Sequence, residues 1–311
     1  MTKKSFYYSA GILVLVLLAV VVVGMVFRQN ASASPGKPTV FQPPLMTLPK
    51  LPEKLDFAGE PVPLNNFEVR ERLDRELLIT SFRHAPTILA YKRSARWFPE
   101  IEAILKRNNI PADFKYLAVT ESELSDVTSP AGAAGFWQFM EETAKTYGLI
   151  VNDEIDERFN ATKATEAACR YLQKSYDTFG NWTMAAASYN VGVPNLSAFS
   201  EKQRQSSYYD IQMNQETSRF VFRILSFKLI FTNPAQYGIE FSPEDLYKPL
   251  KYYEIEVNGT VDNWVDFAGA EGITYKALRY FNPWIRNSSM RNRGKNTFIV
   301  KIPVNKNLEA Y

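Results

Sequence analysis

The spacing of apolar residues between positions 67 and 235 limits this chain to helical folds. Val69, Leu73 and Leu77 stand four residues apart among charged neighbours, and no segment of the region alternates at the period of two that a strand requires. Further stretches with helical spacing or helix-start signals cover residues 98–105, 111–122, 136–147, 161–178, 181–192 and 214–231. The pattern predicts an all-α domain.

The amino-acid composition excludes several classes of functional site. A net charge of +3 over 311 residues does not favour a nucleic-acid-binding protein, which needs a strongly basic domain. The single cysteine, Cys169, cannot form an intramolecular disulfide, and the single histidine, His84, cannot supply a histidine-rich metal site. We therefore expect no metal and no cofactor, and a chemistry that uses carboxylates, amides and hydroxyls.

The N-terminus carries an uncharged apolar run of 18 residues at positions 10–27, long enough for a single transmembrane helix. Lys3 and Lys4 precede it and favour a cytoplasmic N-terminus, which places the rest of the chain outside the cytoplasm. We predict a signal anchor over residues 1–30 that stays in the inner membrane. The Ala-Ser-Ala at residues 31–33 leaves a secreted form, cleaved after Ala33, as the alternative.

Three more segments follow the anchor. Residues 31–66 contain eight prolines and predict an extended tether. Residues 67–248 are predicted to form the helical domain. Residues 249–311 contain two predicted strands, at 252–257 and 297–302, around helical stretches at 261–271 and 274–281, and so predict a small β-α-α-β module.

Glu121 is the candidate general acid. It follows Phe114, Leu117 and Ala118 at intervals of seven, four and three, so a helix would place its carboxyl on the apolar stripe. An apolar setting disfavours the charged form and raises the pKa of a carboxyl, which suits proton donation near neutral pH. Spacing alone leaves open a Glu that caps the helix end or pairs with an arginine.

Three motifs in order carry a resemblance to a known family. A Glu-Ser pair at residues 121–122 ends the predicted helix, a Gly-Phe-Trp-Gln segment follows at 135–138, and Ser-Tyr-Asn-Val-Gly stands at 188–192. Together with residues 156–158 and 170–172, they resemble the signature of the lysozyme-like lytic transglycosylases over about residues 95–232. Within that family the chain is most similar to the membrane-bound murein transglycosylase D type. The C-terminal module resembles a degenerate LysM carbohydrate-binding module.

The resemblance implies a mainly α fold with a lysozyme-like (SLT) catalytic domain, a LysM-like module and a periplasmic location. It implies cleavage of the β-1,4 bond between N-acetylmuramic acid (MurNAc) and N-acetylglucosamine (GlcNAc) in peptidoglycan, with formation of 1,6-anhydroMurNAc ends. Glu121 would act first as acid and then as base. The residues implied to bind substrate are Ser122, Gln138, Tyr189, Asn190 and Phe220; Phe220 stands where many relatives carry tyrosine.

Alternatives remain at this stage. The same fold could serve a muramidase that delivers water, or a non-catalytic peptidoglycan-binding protein. Glu123 and Asp126 are interpreted as solvated polar residues rather than as a second catalytic carboxylate. The C-terminal module could bind glycan or merely pack on the catalytic domain. The resemblance implies peptidoglycan glycan strands as partner, the apolar run at residues 10–27 predicts the membrane as another, and no protein partner is identified.

Overall fold

The structure, a computed structural model, describes residues 21–23, 25 and 48–309. The account below concerns the compact unit that begins at Leu48. Its helices are α1 (Phe67–Phe82), α2 (His84–Arg107), α3 (Lys115–Ser122), α4 (Glu141–Thr146), α5 (Ala161–Phe179), α6 (Trp182–Val191), α7 (Val193–Gln203), α8 (Gln215–Thr232), α9 (Trp264–Ala270) and α10 (Tyr275–Phe281). Its strands are β1 (Asp56–Phe57), β2 (Glu60–Pro61), β3 (Tyr252–Val257) and β4 (Phe298–Pro303).

Asparagine side chains start most of the long helices. Asn66, Asn160, Asn181 and Asn214 precede α1, α5, α6 and α8, and each side chain accepts a hydrogen bond from a backbone N–H of the first turn. This cap satisfies a donor that has no partner inside the helix and is worth about 1 kcal/mol. The starts of these four helices are thus encoded by the local sequence.

The helices assemble around one large core, and the predicted mainly helical architecture is confirmed. Helix α8 lies at its centre and packs against α1, α3 and α6, while α5 packs against α2 and α6. The side chains facing inward from α8 include Phe220, Val221, Ile224, Leu225 and Ile230, all nearly or fully buried.

One local prediction was wrong, and one helix was missed. Residues 136–140 do not begin a helix: Ala134 forms bridges with Thr128 and Phe139, Gln138 has a φ of 47°, and α4 starts only at Glu141. Helix α7 was not predicted, since its apolar pattern is weak. It begins after Gly192, where Pro194 occupies the first turn, a position that tolerates proline.

The end of the proline-rich segment is packed and does not form a free tether. Phe57 is fully buried, with its ring centre 5.2 Å from that of Phe114. The Glu60 carboxylate accepts hydrogen bonds from the Trp182 and Thr183 backbone N–H groups at the start of α6. The prediction of a tether through residue 66 is therefore wrong for its final part, because the prolines there separate apolar anchors.

The predicted anchor at residues 10–27 lies largely outside the described residues, as does the tether up to residue 47. Residues 21–23 and 25 within the anchor are helical. In the described part of the chain, no helix combines the length and the apolar character needed to cross a bilayer.

The C-terminal module forms as predicted, with β3 and β4 paired antiparallel from Tyr252 opposite Pro303 to Val257 opposite Phe298. Its core contains Trp264, Trp284 and Ile285, and three residues of the helical domain complete that core: Ala134, Ile155 and Phe159. The module and the helical domain therefore share one buried cluster.

This shared cluster yields a stability prediction. Phe159 is 6% exposed and contributes a full aromatic ring to the core of the module. Phe159→Ala should lower the free energy of unfolding by about 3–5 kcal/mol, because it leaves a cavity between the two domains. Urea unfolding followed by tryptophan fluorescence measures the loss. Phe67→Ala is the matched control, since Phe67 is 75% exposed and its removal should change stability by less than about 0.5 kcal/mol. Equal losses in both variants would contradict a shared core.

Candidate active site

Glu121 lies in the last turn of α3, on the face that Phe114, Leu117 and Ala118 continue into the core. Its carboxyl group forms no hydrogen bond or ion pair with any residue from 48 to 309. Burial raises the pKa of Glu121 to about 8; the Arg223 charge opposes this rise and the Glu216 charge adds to it. The predicted apolar environment is therefore present, and at pH 7 the group is mostly a protonated acid.

The chain turns sharply after the acid. Glu123 and Leu124 both have positive φ, 53° and 54°, a region that non-glycine residues seldom occupy. The Glu123 carboxylate forms an ion pair with Arg83 at 2.9 Å. This turn ends α3 within two residues of Glu121 and leads the chain into the opposite wall of the site.

Ser122 connects α3 to that wall. Its hydroxyl donates to the Phe136 carbonyl at 2.9 Å and lies 3.2 Å from the Ala118 carbonyl, and the residue is buried. Ser122 therefore holds the two walls together, and little of its surface is left for a substrate.

Gln138 shapes the wall from inside. Its Nε2 donates to the Val127 carbonyl at 3.1 Å and to the Gly135 carbonyl at 2.8 Å. Both donor hydrogens of the amide are thus used within the loop, whereas the Oε1 acceptor has no protein donor in the described chain. Towards a ligand, Gln138 can therefore act only as a hydrogen-bond acceptor, whereas the sequence predicted that it would both donate and accept.

A buried ion pair clamps the same loop. Arg158 donates to both carboxylate oxygens of Asp156, at 2.9 and 2.7 Å, and its remaining Nη donates to the carbonyls of Gly132 at 2.8 Å and Phe139 at 3.1 Å. Gly135 packs so closely against this segment that a Cβ would lie 1.8 Å from the Arg158 carbonyl oxygen. Only glycine fits there.

Tyr189 and Asn190 reach the site from α6. The Tyr189 hydroxyl donates to the Trp137 carbonyl at 2.8 Å, and its ring centre lies 5.0 Å from that of Tyr171. Burial raises the pKa of Tyr189 well above its usual range, and the nearby Glu121 charge contributes. Asn190 Oδ1 accepts from the Thr217 hydroxyl at 3.0 Å, which leaves its Nδ2 without a hydrogen-bond partner over residues 48–309.

Phe220 does not offer a ring face for sugar stacking. It is 2% exposed, and the Arg223 guanidinium lies 5.6 Å from its ring centre. The prediction that it binds substrate is corrected on this point: the ring packs in the core of α8.

The sequence reasoning missed two charged residues beside Glu121. Arg223 and Glu216 form an ion pair on α8, and both influence the pKa of the acid. They stand seven residues apart, a spacing that brings side chains to one helix face. This spacing is the sequence pattern from which the pair could have been predicted.

Comparisons with known proteins find similar domains and related proteins. Residues 98–212 match the family model described as Transglycosylase SLT domain, and residues 253–306 match that of the Soluble lytic transglycosylase C-terminal LysM-like domain. The chain is 25% identical over 247 residues to "Membrane-bound lytic murein transglycosylase D" of Escherichia coli K12, and equally so to that of strain CFT073. These matches cover 76% of this chain and 53% of each relative, so the chain spans about half their length.

One solved structure is also similar. It is an inactive mutant of the lytic transglycosylase Slt from Pseudomonas aeruginosa, with 20% identity and a TM-score of 0.37. The similarity covers 49% of this chain and 26% of that one.

The close approach at Gly135 can be tested directly. Gly135→Ala combines a φ of +75° with a backbone clash, so we expect it to lower the free energy of unfolding by more than about 3 kcal/mol. Gly132→Ala is the control in the same loop: its φ is +90°, but no atom lies within 4 Å of the added Cβ. Its loss should be only about 1–2 kcal/mol. Thermal and urea unfolding report both, and similar losses would show that the Arg158 contact is unimportant.

The raised pKa of Glu121 predicts a pH-dependent stability. The folded-state pKa of about 8 exceeds the ordinary value of 4.5, so the unfolded chain releases this proton first as pH rises. Stability is full below pH 4.5 and falls as pH rises towards 8. Glu121→Gln removes this loss and should be more stable than the parent by about 1–3 kcal/mol at pH 8.5, a value reduced for partial solvent contact. Near pH 4 the two should agree. A constant difference across this range would contradict the shifted pKa.

Proposed function

We propose that this chain, which carries a transglycosylase SLT domain at residues 98–212 and a LysM-like C-terminal domain at residues 253–306, is a peptidoglycan lytic transglycosylase that uses Glu121 as its single acid and base. The observation that carries the proposal is the unpartnered carboxyl of Glu121, held protonated at neutral pH by burial. The names of the related proteins support murein as the substrate.

In the proposed first step, the bond between C1 of MurNAc and O4 of GlcNAc breaks. The Glu121 carboxyl gives its proton to O4, and positive charge develops at C1. With a pKa of about 8, about nine-tenths of the group is protonated at pH 7. The single acid can therefore act without another carboxylate to hold its proton.

In the second step, the Glu121 carboxylate accepts the proton of the C6 hydroxyl, and O6 bonds to C1. This closes the 1,6-anhydro ring and restores the protonated acid, so atoms and charges balance without water or a covalent enzyme intermediate. The unpartnered Nδ2 of Asn190 and Oε1 of Gln138 would serve as donor and acceptor for the sugar amides. Ser122 and Tyr189 act as positioning residues, through the Phe136 and Trp137 carbonyls.

A muramidase on the same fold is the alternative within the enzyme class. The two neighbouring carboxylates do not favour it. Glu123 pairs with Arg83, and Asp126, whose pKa burial raises to about 6, lines a cavity that Glu121 does not line. The non-catalytic alternative does not account for a buried, unpartnered acid, which is costly to retain in a binding protein.

The proposed setting is the periplasmic face of the inner membrane, with residues 10–27 as anchor, or a secreted form if the chain is cleaved after Ala33. The words "membrane-bound" in the names of the relatives support the anchored form. We retain residues 67–248 as the proposed catalytic domain, extended at its start by the packed segment around Phe57, and residues 249–311 as the LysM-like module.

Product analysis of Glu121→Gln tests the proposal. Residues 31–311 should release peptidoglycan fragments with 1,6-anhydroMurNAc ends, identified by mass spectrometry. Glu121→Gln should reduce release at least about a hundredfold, because amide nitrogen cannot donate the proton. Release by the parent should fall as pH rises above about 8, where the acid ionises.

Glu123→Gln is the matched control, two residues away and engaged at the surface, and it should retain parental activity. Reducing ends instead of anhydro ends would indicate a muramidase. No release from the parent, with binding to intact sacculi retained, would indicate a binding protein.

A further inference from the structure

A cavity lies between the helical domain and the C-terminal module. Its volume is about 680 Å³. Trp97 and the turn at residues 124–126 form one wall, and residues 247–252, α10 and Lys301 form the other. Glu121 does not line it. Neither domain forms this cavity alone, and the size is within the range of small-ligand sites.

Aromatic side chains line both walls. Tyr280 is 57% exposed and Tyr252 is 36% exposed, although each belongs to a compact module. Trp97 is partly buried, with its ring in edge contact with Phe136 at 5.0 Å between centres. Exposed aromatic rings that line a concave surface are suited to stacking on the apolar faces of sugar rings.

The charges in the cavity favour an anion. Lys301 is compensated by Glu100 at 3.2 Å. Arg279 has no carboxylate partner over residues 48–309: it donates to the Tyr275 hydroxyl at 3.0 Å, and its Nε is buried with no hydrogen-bond partner. Arg93 donates to the Glu123 carbonyl at 3.1 Å, likewise without a carboxylate. Asp126 is the remaining acid of the lining.

The Nε itself is shielded, but Arg279 is only half-buried and lines the cavity, and its Nη2 has no hydrogen-bond acceptor over residues 48–309. A carboxylate is the group that pairs best with a guanidinium, so this incompletely paired side chain is an observation independent of the aromatic rings. The cavity, the rings and Arg279 together point to a ligand that is both a saccharide and a carboxylate.

We propose that this junction cavity is a second glycan-binding site, in which Arg279 binds a carboxylate carried by a muramyl unit of the strand. The proposal rests on the proposed function for its choice of glycan. Its position connects it to the acid: Leu124 lies three residues after Glu121, and Phe136, which also lines the cavity, accepts the Ser122 hydrogen bond. A strand held at the junction is therefore fixed relative to the cleft.

The carboxylate could come from the lactyl group of MurNAc or from the peptide stem. Binding measurements on full-length chain in detergent, in a Glu121→Gln background, separate these sources with four probes: peptide-free glycan strands with free lactyl groups, stem-bearing strands, the stem peptide alone, and neutral chitotetraose. Isothermal titration at pH 7.5 gives each affinity. These measurements report binding alone and need no catalysis. They therefore test the cavity even if the chain does not catalyse the proposed reaction.

Arg279→Gln should weaken binding of carboxylate-bearing strands about tenfold and leave chitotetraose unchanged. Asp126→Asn should strengthen binding of those same strands, because it removes the repelling charge. Arg70→Gln, the matched control, removes the same charge from an exposed position on α1 outside the cavity and should change nothing.

An Arg279 effect confined to stem-bearing strands and the stem peptide assigns the stem carboxylates, and an effect confined to peptide-free strands assigns the lactyl group. Equal affinities of Arg279→Gln and its background for every charged probe would overturn the proposal. So would an equal loss for chitotetraose, or the absence of any binding. Thermal unfolding of each variant checks folding, and Asp126→Asn tests the site even where Arg279→Gln is unstable.

Discussion

The buried ion pair between Arg158 and Asp156 is the interaction on which the rest of the site depends. The Arg158 guanidinium donates two hydrogen bonds to Asp156. It also donates to the carbonyls of Gly132 and Phe139, at the two ends of the segment 132–139, which we call the cleft loop. The Asp156 N–H in turn donates to the Trp284 carbonyl of the C-terminal module at 2.9 Å. A buried charge is tolerated only when it is paired. The pairing of Arg158 with Asp156 therefore fixes the cleft loop, the segment around residue 156 and the adjoining part of the C-terminal module. Removing either partner would leave an uncompensated charge where the cleft and the module meet.

The rigidity that this ion pair gives to the site explains how Glu121 can remain buried without a hydrogen-bond partner. A buried carboxyl without hydrogen bonds is destabilising in its charged form, and the protein responds by keeping Glu121 neutral. A flexible cleft would let the Arg223 guanidinium approach the carboxyl more closely and lower its pKa further. Arg223 is instead held by Glu216 and lies over Phe220. Ser122 and Tyr189 donate hydrogen bonds to the backbone of the loop opposite Glu121 and so fix the position of that loop. Neither hydroxyl forms a hydrogen bond with the Glu121 carboxyl.

The sequence predicted the features that depend on local pattern. Helical spacing located most helices, and the interval from Phe114 to Glu121 placed the acid on an apolar face. It could not predict which donors the fold uses internally. Gln138 and Ser122 look like substrate contacts in a motif, but their hydrogen bonds go to backbone carbonyls that only the folded loop brings near. The prediction for Phe220 was wrong for a related reason: the sequence does not reveal whether an aromatic ring faces a cleft or a core. The end of the tether was mispredicted likewise, because Phe57 within it is buried.

The shared core also changes how the C-terminal module must be understood. A carbohydrate-binding module on a flexible linker raises the local concentration of substrate but does not orient it. Here Ala134, which belongs to the cleft loop, lies in the same buried cluster as Trp264 and Trp284, and the backbone of Ile155 pairs with that of Ile285. The module therefore cannot rotate independently without exposing that cluster to water. Whatever the module contacts is held in a fixed direction from Glu121, so the module acts as part of the cleft framework.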